Sequence, residues 1–183
     1  VSSLFSTVSA LRNGYEKDEV DEFFDHARQA YEGRTPEPLT HADIQSATFE
    51  LVRRGYDTHE VDQALDRLES AFIARQRAEY VAAHGQDAWM AALADRARTL
   101  YGRLGRPDGE KFAPAERGKQ GYDVDDVDAL CDRLVAYFDR QEPLTAAEVR
   151  SATFGRAKGA DAYAEASVDR FLARATEVLL GVE

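Results

Sequence analysis

The side chains of this chain that could do chemistry are four histidines, one cysteine and two dense acidic runs. His59-Glu60 with Asp62, and His41 with Asp43, are the two histidine–carboxylate groupings; His26 and His84 stand apart from them. Acid–base catalysis needs such groups converging on one substrate atom, and a structural zinc site needs four nitrogen or sulfur ligands. No two histidines are four residues apart and Cys131 is the one cysteine, so no zinc site is expected. The runs Asp18-Glu19 and Asp123-Val124-Asp125-Asp126-Val127-Asp128 are rich in calcium-type oxygen ligands. Val124 and Val127 interrupt the second run, and the glycine and terminal glutamate of a calcium loop are missing. Gly102-Arg103-Leu104-Gly105-Arg106-Pro107-Asp108-Gly109 lacks the Lys-Ser/Thr ending of a phosphate-binding loop and reads as a linker. The expectation is therefore no catalytic residue, no metal and no cofactor. The carboxylates are expected to cap helices or face solvent, Cys131 and Trp89 to pack in a core, and His41 and His59 to sit at helix N-termini.

The bulk composition sets the frame for those residues. A chain of 183 residues, 44% hydrophobic and 31% charged with 5 prolines, has the composition of a folded protein of one ordinary or two small domains. No run approaches the roughly 18 apolar residues of a membrane-spanning helix. The start, Val1-Ser2-Ser3-Leu4-Phe5, has neither the basic region nor the apolar stretch of a secretory signal. The lone cysteine excludes an internal disulfide and fits a reducing compartment. A net charge of −11 repels nucleic acid at long range, and no nucleic-acid partner or small-molecule substrate is expected.

The elements that would carry any site are written as a repeat. A tyrosine is followed five positions later by Val-Asp at Tyr15/Val20, Tyr56/Val61, Tyr122/Val127 and Tyr163/Val168, with a glycine before the first three tyrosines. The segment Pro38-Leu39-Thr40 through Ser46-Ala47-Thr48-Phe49 returns as Pro143-Leu144-Thr145 through Ser151-Ala152-Thr153-Phe154, 105 residues on. Tyr15 and Tyr122 are 107 apart. The chain thus reads as a tandem duplication with pseudo-symmetric halves at 1–84 and 110–183, and a connecting helix and linker at 85–109.

Helices are expected at about 17–32, 40–47, 58–83, 86–104, 124–141, 145–152 and 165–180. Thr40 with Asp43 and Thr145 with Glu148 have the spacing of a capping box. Asp57 and Asp123 are expected to cap the helices that follow them, and Gly14, Gly55 and Gly121 to supply a backbone angle that side chains resist. Apolar residues recur at steps of 4, 3 and 4 from each valine: Val20, Phe24, Ala27, Tyr31; Val61, Leu65, Leu68, Phe72; Val127, Cys131, Leu134, Phe138; and Val168, Leu172, Ala175, Leu179. Such narrow seams seek a partner helix, as in a coiled coil. No strand-period alternation stands out, so the predicted class is all-α, with duplicated helical units, short turns and coiled-coil-like helix pairing.

The stretch Pro38-Leu39-Thr40, then Phe49-Glu50-Leu51-Val52-Arg53-Arg54-Gly55-Tyr56-Asp57 and Glu60-Val61-Asp62, resembles the N-terminal domain of the DivIVA family. The likeness covers about 30 residues well, and weaker copies cover most of the chain. It implies a non-enzymatic bacterial protein of the cytoplasm, associated with the septum or pole, that recruits partners in cell division or polar growth. Family members contact membrane through an exposed apolar wedge and an arginine before Gly-Tyr. Arg54 matches that arginine, but Arg53 stands in the wedge position, and the other copies carry Arg12-Asn13 and Lys119-Gln120. The family's long coiled coil is also missing: after Phe72 the seam gives way to Arg75, Gln76, Arg77 and Glu79.

The leading expectation is accordingly a scaffold or adaptor that binds protein partners, itself among them, through the repeated turns. A second reading is peripheral membrane binding through Arg12, Arg53, Arg54 and Lys119. An enzyme or small-ligand binder is the remote third.

Overall fold

The computed structural model describes residues 4–182, which form seven α-helices and five short β-strands. The chain divides into two compact units, residues 1–78 and 79–183. The division falls inside the long third helix rather than at 84/85.

In the first unit β1 (Asn13–Tyr15) precedes α1 (Lys17–Tyr31), α2 (His41–Gln45), β2 (Leu51–Arg53) and α3 (Thr58–His84), whose last turns enter the second unit. The second unit adds α4 (Gln86–Leu104), then β3 (Gln120–Asp123), α5 (Val124–Arg140), α6 (Ala146–Arg150), β4 (Arg156–Lys158), β5 (Ala162–Tyr163) and α7 (Glu165–Val182). The helix positions agree with the sequence expectation to within two residues. The class agrees in the main: the chain is mostly helical, and it also carries two small antiparallel sheets, β1-β2 and β4-β3-β5. Strands of two to four residues are too short to write an alternating pattern, and the Gly14-Tyr15 and Gly121-Tyr122 steps expected as turns are themselves strand residues.

Each unit is organised around two tyrosines whose main chains meet. Tyr15 N–H donates to Tyr56 O at 3.0 Å, and Tyr56 N–H donates to Tyr15 O at 2.8 Å. In the second unit Tyr122 pairs with Tyr163, 107 residues on from each. An upstream segment completes the arrangement. Thr7 bridges Tyr56, and Val8 N–H donates to Gly55 O at 2.9 Å. Pro114 bridges Tyr163, and Ala115 N–H donates to Ala162 O at 2.8 Å, again 107 residues on. Phe5 packs its ring 5.4 Å from Tyr56, and Phe112 packs 5.2 Å from Tyr163. These upstream segments, Phe5-Ser6-Thr7-Val8 and Phe112-Ala113-Pro114-Ala115, share only their phenylalanine, which is why the sequence did not reveal them as a repeat.

The glycines before the tyrosines act by size, not by backbone angle, which corrects the expectation. Gly14, Gly55 and Gly121 are not among the residues with positive φ. A Cβ on Gly14 would lie 2.1 Å from Tyr56 O, one on Gly55 would lie 2.4 Å from Tyr15 O, and one on Gly121 would lie 2.1 Å from Tyr163 O. The left-handed residue between β2 and Tyr56 is Arg54, at φ 59°. In the second unit a 3₁₀ turn over Gly159–Asp161, with Gly159 at φ 72°, fills the same connection with two more residues. Those two residues change the repeat offset from 105 to 107, and Ala162 is accommodated where the other copies have glycine.

The helix starts follow the expected chemistry. Thr40–Asp43 and Thr145–Glu148 form complete capping boxes, and Asp57 and Asp123 each accept two backbone N–H groups of the next helix. Other acids of the first helical turns reach across the unit. Glu19 accepts from Glu50 N–H at 2.8 Å, Asp126 from Gly155 N–H at 2.7 Å, and Glu60 from Ser6 N–H at 2.8 Å.

All four seam valines, Val20, Val61, Val127 and Val168, are fully buried. In the second unit Cys131, Leu134, Ala175 and Leu179 continue the core, joined by Leu100 and Leu104 of α4. The first unit's core is smaller, and its seam opens toward the helix ends, where Tyr31 is 42% exposed beside Phe72. The stretch expected as a connector is thus part of the second unit: Trp89 Nε1 donates to Gly181 O at 3.0 Å, and Arg96 pairs with Glu177 at 2.6 Å.

The close main-chain approach predicts a sharp contrast. Gly14→Ala and Gly121→Ala should each destabilise their unit by about 2 kcal/mol or more, since backbone must move. Gly102→Ala, inside α4 with nothing within 4 Å, should be neutral or stabilising by up to about 1 kcal/mol. Urea unfolding of the three variants checks this; equal effects would refute the size argument.

Candidate interaction surface

The side chains of each tyrosine pair make a set of tyrosine–aspartate contacts. Tyr56 Oη donates to the Asp21 carboxylate at 3.0 Å, and Tyr163 Oη donates to the Asp128 carboxylate at 3.1 Å. The reciprocal pairs are Tyr15 with Asp62 and Tyr122 with Asp169. Each aspartate is the residue after a seam valine, so one helical turn supplies both the buried apolar contact and the acceptor. Sequence reading singled out the tyrosines and valines and missed the role of these aspartates. Their invariant place in all four copies was the available signal.

Burial, then the neighbouring carboxylate, raises the pKa of Tyr15 and Tyr122. Burial pushes Tyr163 up to about 12. Asp62 is held above the usual carboxylate range by burial, which outweighs the hydrogen bond from Tyr15.

The second unit elaborates its contact. Gly109 N–H donates to Asp128 at 2.7 Å, and Lys111 N–H donates to Tyr163 Oη at 3.1 Å. Lys111 is only 2% exposed; its ammonium pairs with Asp108 and lies 4.0 Å from Asp128. A buried ammonium of this kind is tolerable only with such partners. The Arg106–Gly109 stretch read as a free linker is therefore bound into the tyrosine–aspartate network. Cys131 lies fully buried in the core, and burial pushes its thiol up to about 12, so it remains a protonated, unreactive thiol at neutral pH.

The outer side of the first unit's ribbon gathers three of the four expected contact residues. Asn13 faces Arg53 across the β1-β2 pair. That register brings Arg12, just before β1, to the same end as Arg53 and Arg54, and all three are exposed. A turn closed by Arg12 N–H to Ser9 O at 3.0 Å carries Leu11, which is 96% exposed. Leu51, on β2, is 56% exposed; Arg156 holds the corresponding position of the second unit, stacked 4.9 Å over Tyr122. The sequence did not single out Leu11, because a lone leucine in a short polar segment carries no periodic signal.

Lys119 does not join the group. It belongs to the second unit, and its ammonium pairs with Glu116 at 2.7 Å. Gly118, at φ 83°, stands where the first unit has Leu11. The second unit's ribbon therefore lacks the apolar tip; Lys158, which faces Gln120, stands where the first unit has Arg53, and Gly159 where it has Arg54.

Among the described residues, no group of three or more His, Cys, Asp or Glu side chains is arranged to hold a metal ion, and no helix is long and apolar enough to cross a membrane.

The raised values fix the direction of the pH dependence. Thiol and phenol titrate at ordinary values of 9.0 and 10.0 in the unfolded chain, against about 12 for Cys131 and Tyr163 when folded. The unfolded state therefore loses these protons first as pH rises. Their contribution should be intact below pH 9 and be lost progressively between about pH 9 and 12. Urea midpoints across that range test it, and a midpoint independent of pH above 9 would contradict it. At neutral pH a thiol reagent should label Cys131 only after denaturation.

No protein-family model matches the chain, and no curated protein or solved structure matches it at a significant level.

Proposed function

We propose that this chain is a non-enzymatic interaction protein of the DivIVA type. It acts as a cytoplasmic scaffold in bacterial division or polar growth through protein–protein contacts. The observation that carries this reading is the use made of the repeat. All four tyrosine copies are joined in reciprocal pairs inside one chain, and their outer ribbons are left as display surfaces. In this reading a tandem duplication has brought into one polypeptide the pairing that the family makes between two subunits. The chain then needs no long coiled coil to complete its fold, and its docking surface is the ribbon end bearing Arg12, Arg53 and Arg54.

A second reading, peripheral contact with an anionic membrane, draws on one specific observation: Leu11 exposed beside those three arginines. Magnitudes set its strength. Burying one leucine yields about 2 kcal/mol. Each arginine near an anionic surface adds about 1 kcal/mol. The sum, about 5 kcal/mol, corresponds to a dissociation constant on the order of 0.2 mM. A contact this weak and salt-sensitive assists localisation without securing it. Protein contacts therefore lead.

Light scattering should give a mass near the 20.4 kDa of one chain. An elongated parallel dimer would overturn the intramolecular pairing. Crosslinked capture from the native cell should recover a division or growth protein that is lost on Arg53→Ala with Arg54→Ala, without loss of folding. Vesicles rich in phosphatidylglycerol should bind the chain at low salt and release it at about 0.15 M salt. Leu11→Ser should weaken that binding several-fold. Retention at physiological salt would promote the membrane reading to first place.

A further inference from the structure

The connecting helix α4 has no counterpart in the first unit, and it creates a feature the repeat alone does not have. Its C-terminal end and the facing side of α7 enclose a cleft of about 420 Å³. Four arginines line it: Arg103 and Arg106 from the end of α4, and Arg170 and Arg174 one turn apart on α7. Thr99 and Ser167 add hydroxyls, while the buried Leu100 and Phe171 form its floor.

The charge pattern of this cleft runs against the rest of the chain. The protein carries 34 acidic residues against 23 basic ones, yet no carboxylate lines the cleft. Elsewhere in the same unit arginines meet acids: Arg96 with Glu177, Arg133 with Glu148, Arg140 with Glu142 and Arg156 with Glu165. Among the described residues Arg106, Arg170 and Arg174 enter no ion pair. Arg103 is positioned from behind, donating to Lys111 O at 3.0 Å with its guanidinium 4.9 Å from the Phe112 ring centre. Arg103 and Arg106 also oppose the negative end of the α4 dipole, which accounts for two of the four. It does not account for Arg170 and Arg174, which repel each other at i, i+4 on α7.

Converging guanidiniums without carboxylates, with hydroxyl donors beside them, match the oxygens of phosphate groups, which accept forked hydrogen bonds. The volume falls within the roughly 300–1,000 Å³ of small-ligand sites. It is large enough for a short chain of phosphates. We propose that the α4–α7 cleft binds a compact polyphosphate, free or as the tail of a nucleotide, through Arg103, Arg106, Arg170 and Arg174. This ligand would bind the second unit independently of the docking surface proposed on the first.

The test is calorimetric titration of the full chain with inorganic triphosphate, ATP and sulfate at about 0.15 M salt. Triphosphate should bind saturably at one site. Arg170→Ala with Arg174→Ala should weaken it by about tenfold or more, while Arg98→Ala, on the exposed side of α4, should not. The double variant removes two exposed side chains, so its melting temperature without ligand should match that of the unaltered chain. ATP binding more tightly than triphosphate would identify a nucleotide as the ligand, and equal binding would identify the phosphate chain alone; either supports the site. Absence of saturable binding by both, unchanged affinity in the double variant, or sulfate binding as tightly as triphosphate would overturn it.

Discussion

Two main chains approach each other at glycine–tyrosine steps, closely enough that a single Cβ at Gly14 or Gly121 would lie 2.1 Å from the opposing carbonyl. This contact fixes the spacing of everything attached to it. With the strands this close, each tyrosine ring passes under the opposite helix and its hydroxyl meets the aspartate one residue beyond a fully buried valine. A helix start, a main-chain pairing and a tyrosine–aspartate hydrogen bond are thus set together. Where the carboxylate is buried, at Asp128, its cost is met by the Tyr163 hydroxyl and the Gly109 N–H, with the Lys111 ammonium 4.0 Å away.

The two units build differently on this common contact. The first keeps a small aromatic cluster around Val20, Tyr56 and Val61, and its ribbon displays Leu11 and three arginines. The second adds α4, ties the chain from Gly109 to Lys111 onto the tyrosine–aspartate pair, and encloses a larger core. Its ribbon has Gly118 at the tip, Lys119 paired with Glu116, and Lys158 in the place of Arg53. The arginine-lined cleft forms at the helix that the first unit lacks. Divergence between the units thus concentrates where the repeat is interrupted: the ribbon tip, the 3₁₀ turn and α4.

Much of this architecture was legible because it is local. Capping boxes at Thr40 and Thr145, helix spans and seam valines follow from spacing along one helix, and the sequence places them to within a residue or two. What was not legible is long-range. The strands are two to four residues long, so their pairing depends on a partner about forty residues away rather than on alternation. Gly14, Gly55 and Gly121 were assigned to backbone angle because a sequence gives no view of an opposing carbonyl. Phe5 and Phe112 hold equivalent positions with almost no shared neighbours. Of the residues singled out by motif position, Arg12, Arg53 and Arg54 come together at one ribbon end, whereas Lys119 belongs to the other unit and pairs with Glu116; Leu11 emerges only from its exposure.

The account depends on the tyrosine–aspartate pairs acting as energetic links and not as incidental contacts. A double-mutant cycle in urea on Tyr163→Phe and Asp128→Asn, repeated on Tyr56→Phe and Asp21→Asn, measures this directly. The account predicts a coupling of about 1 kcal/mol or more in both units, larger at Tyr163–Asp128 because that pair is fully buried and shared with Gly109 and Lys111. Additive single-mutant effects in both units would contradict it.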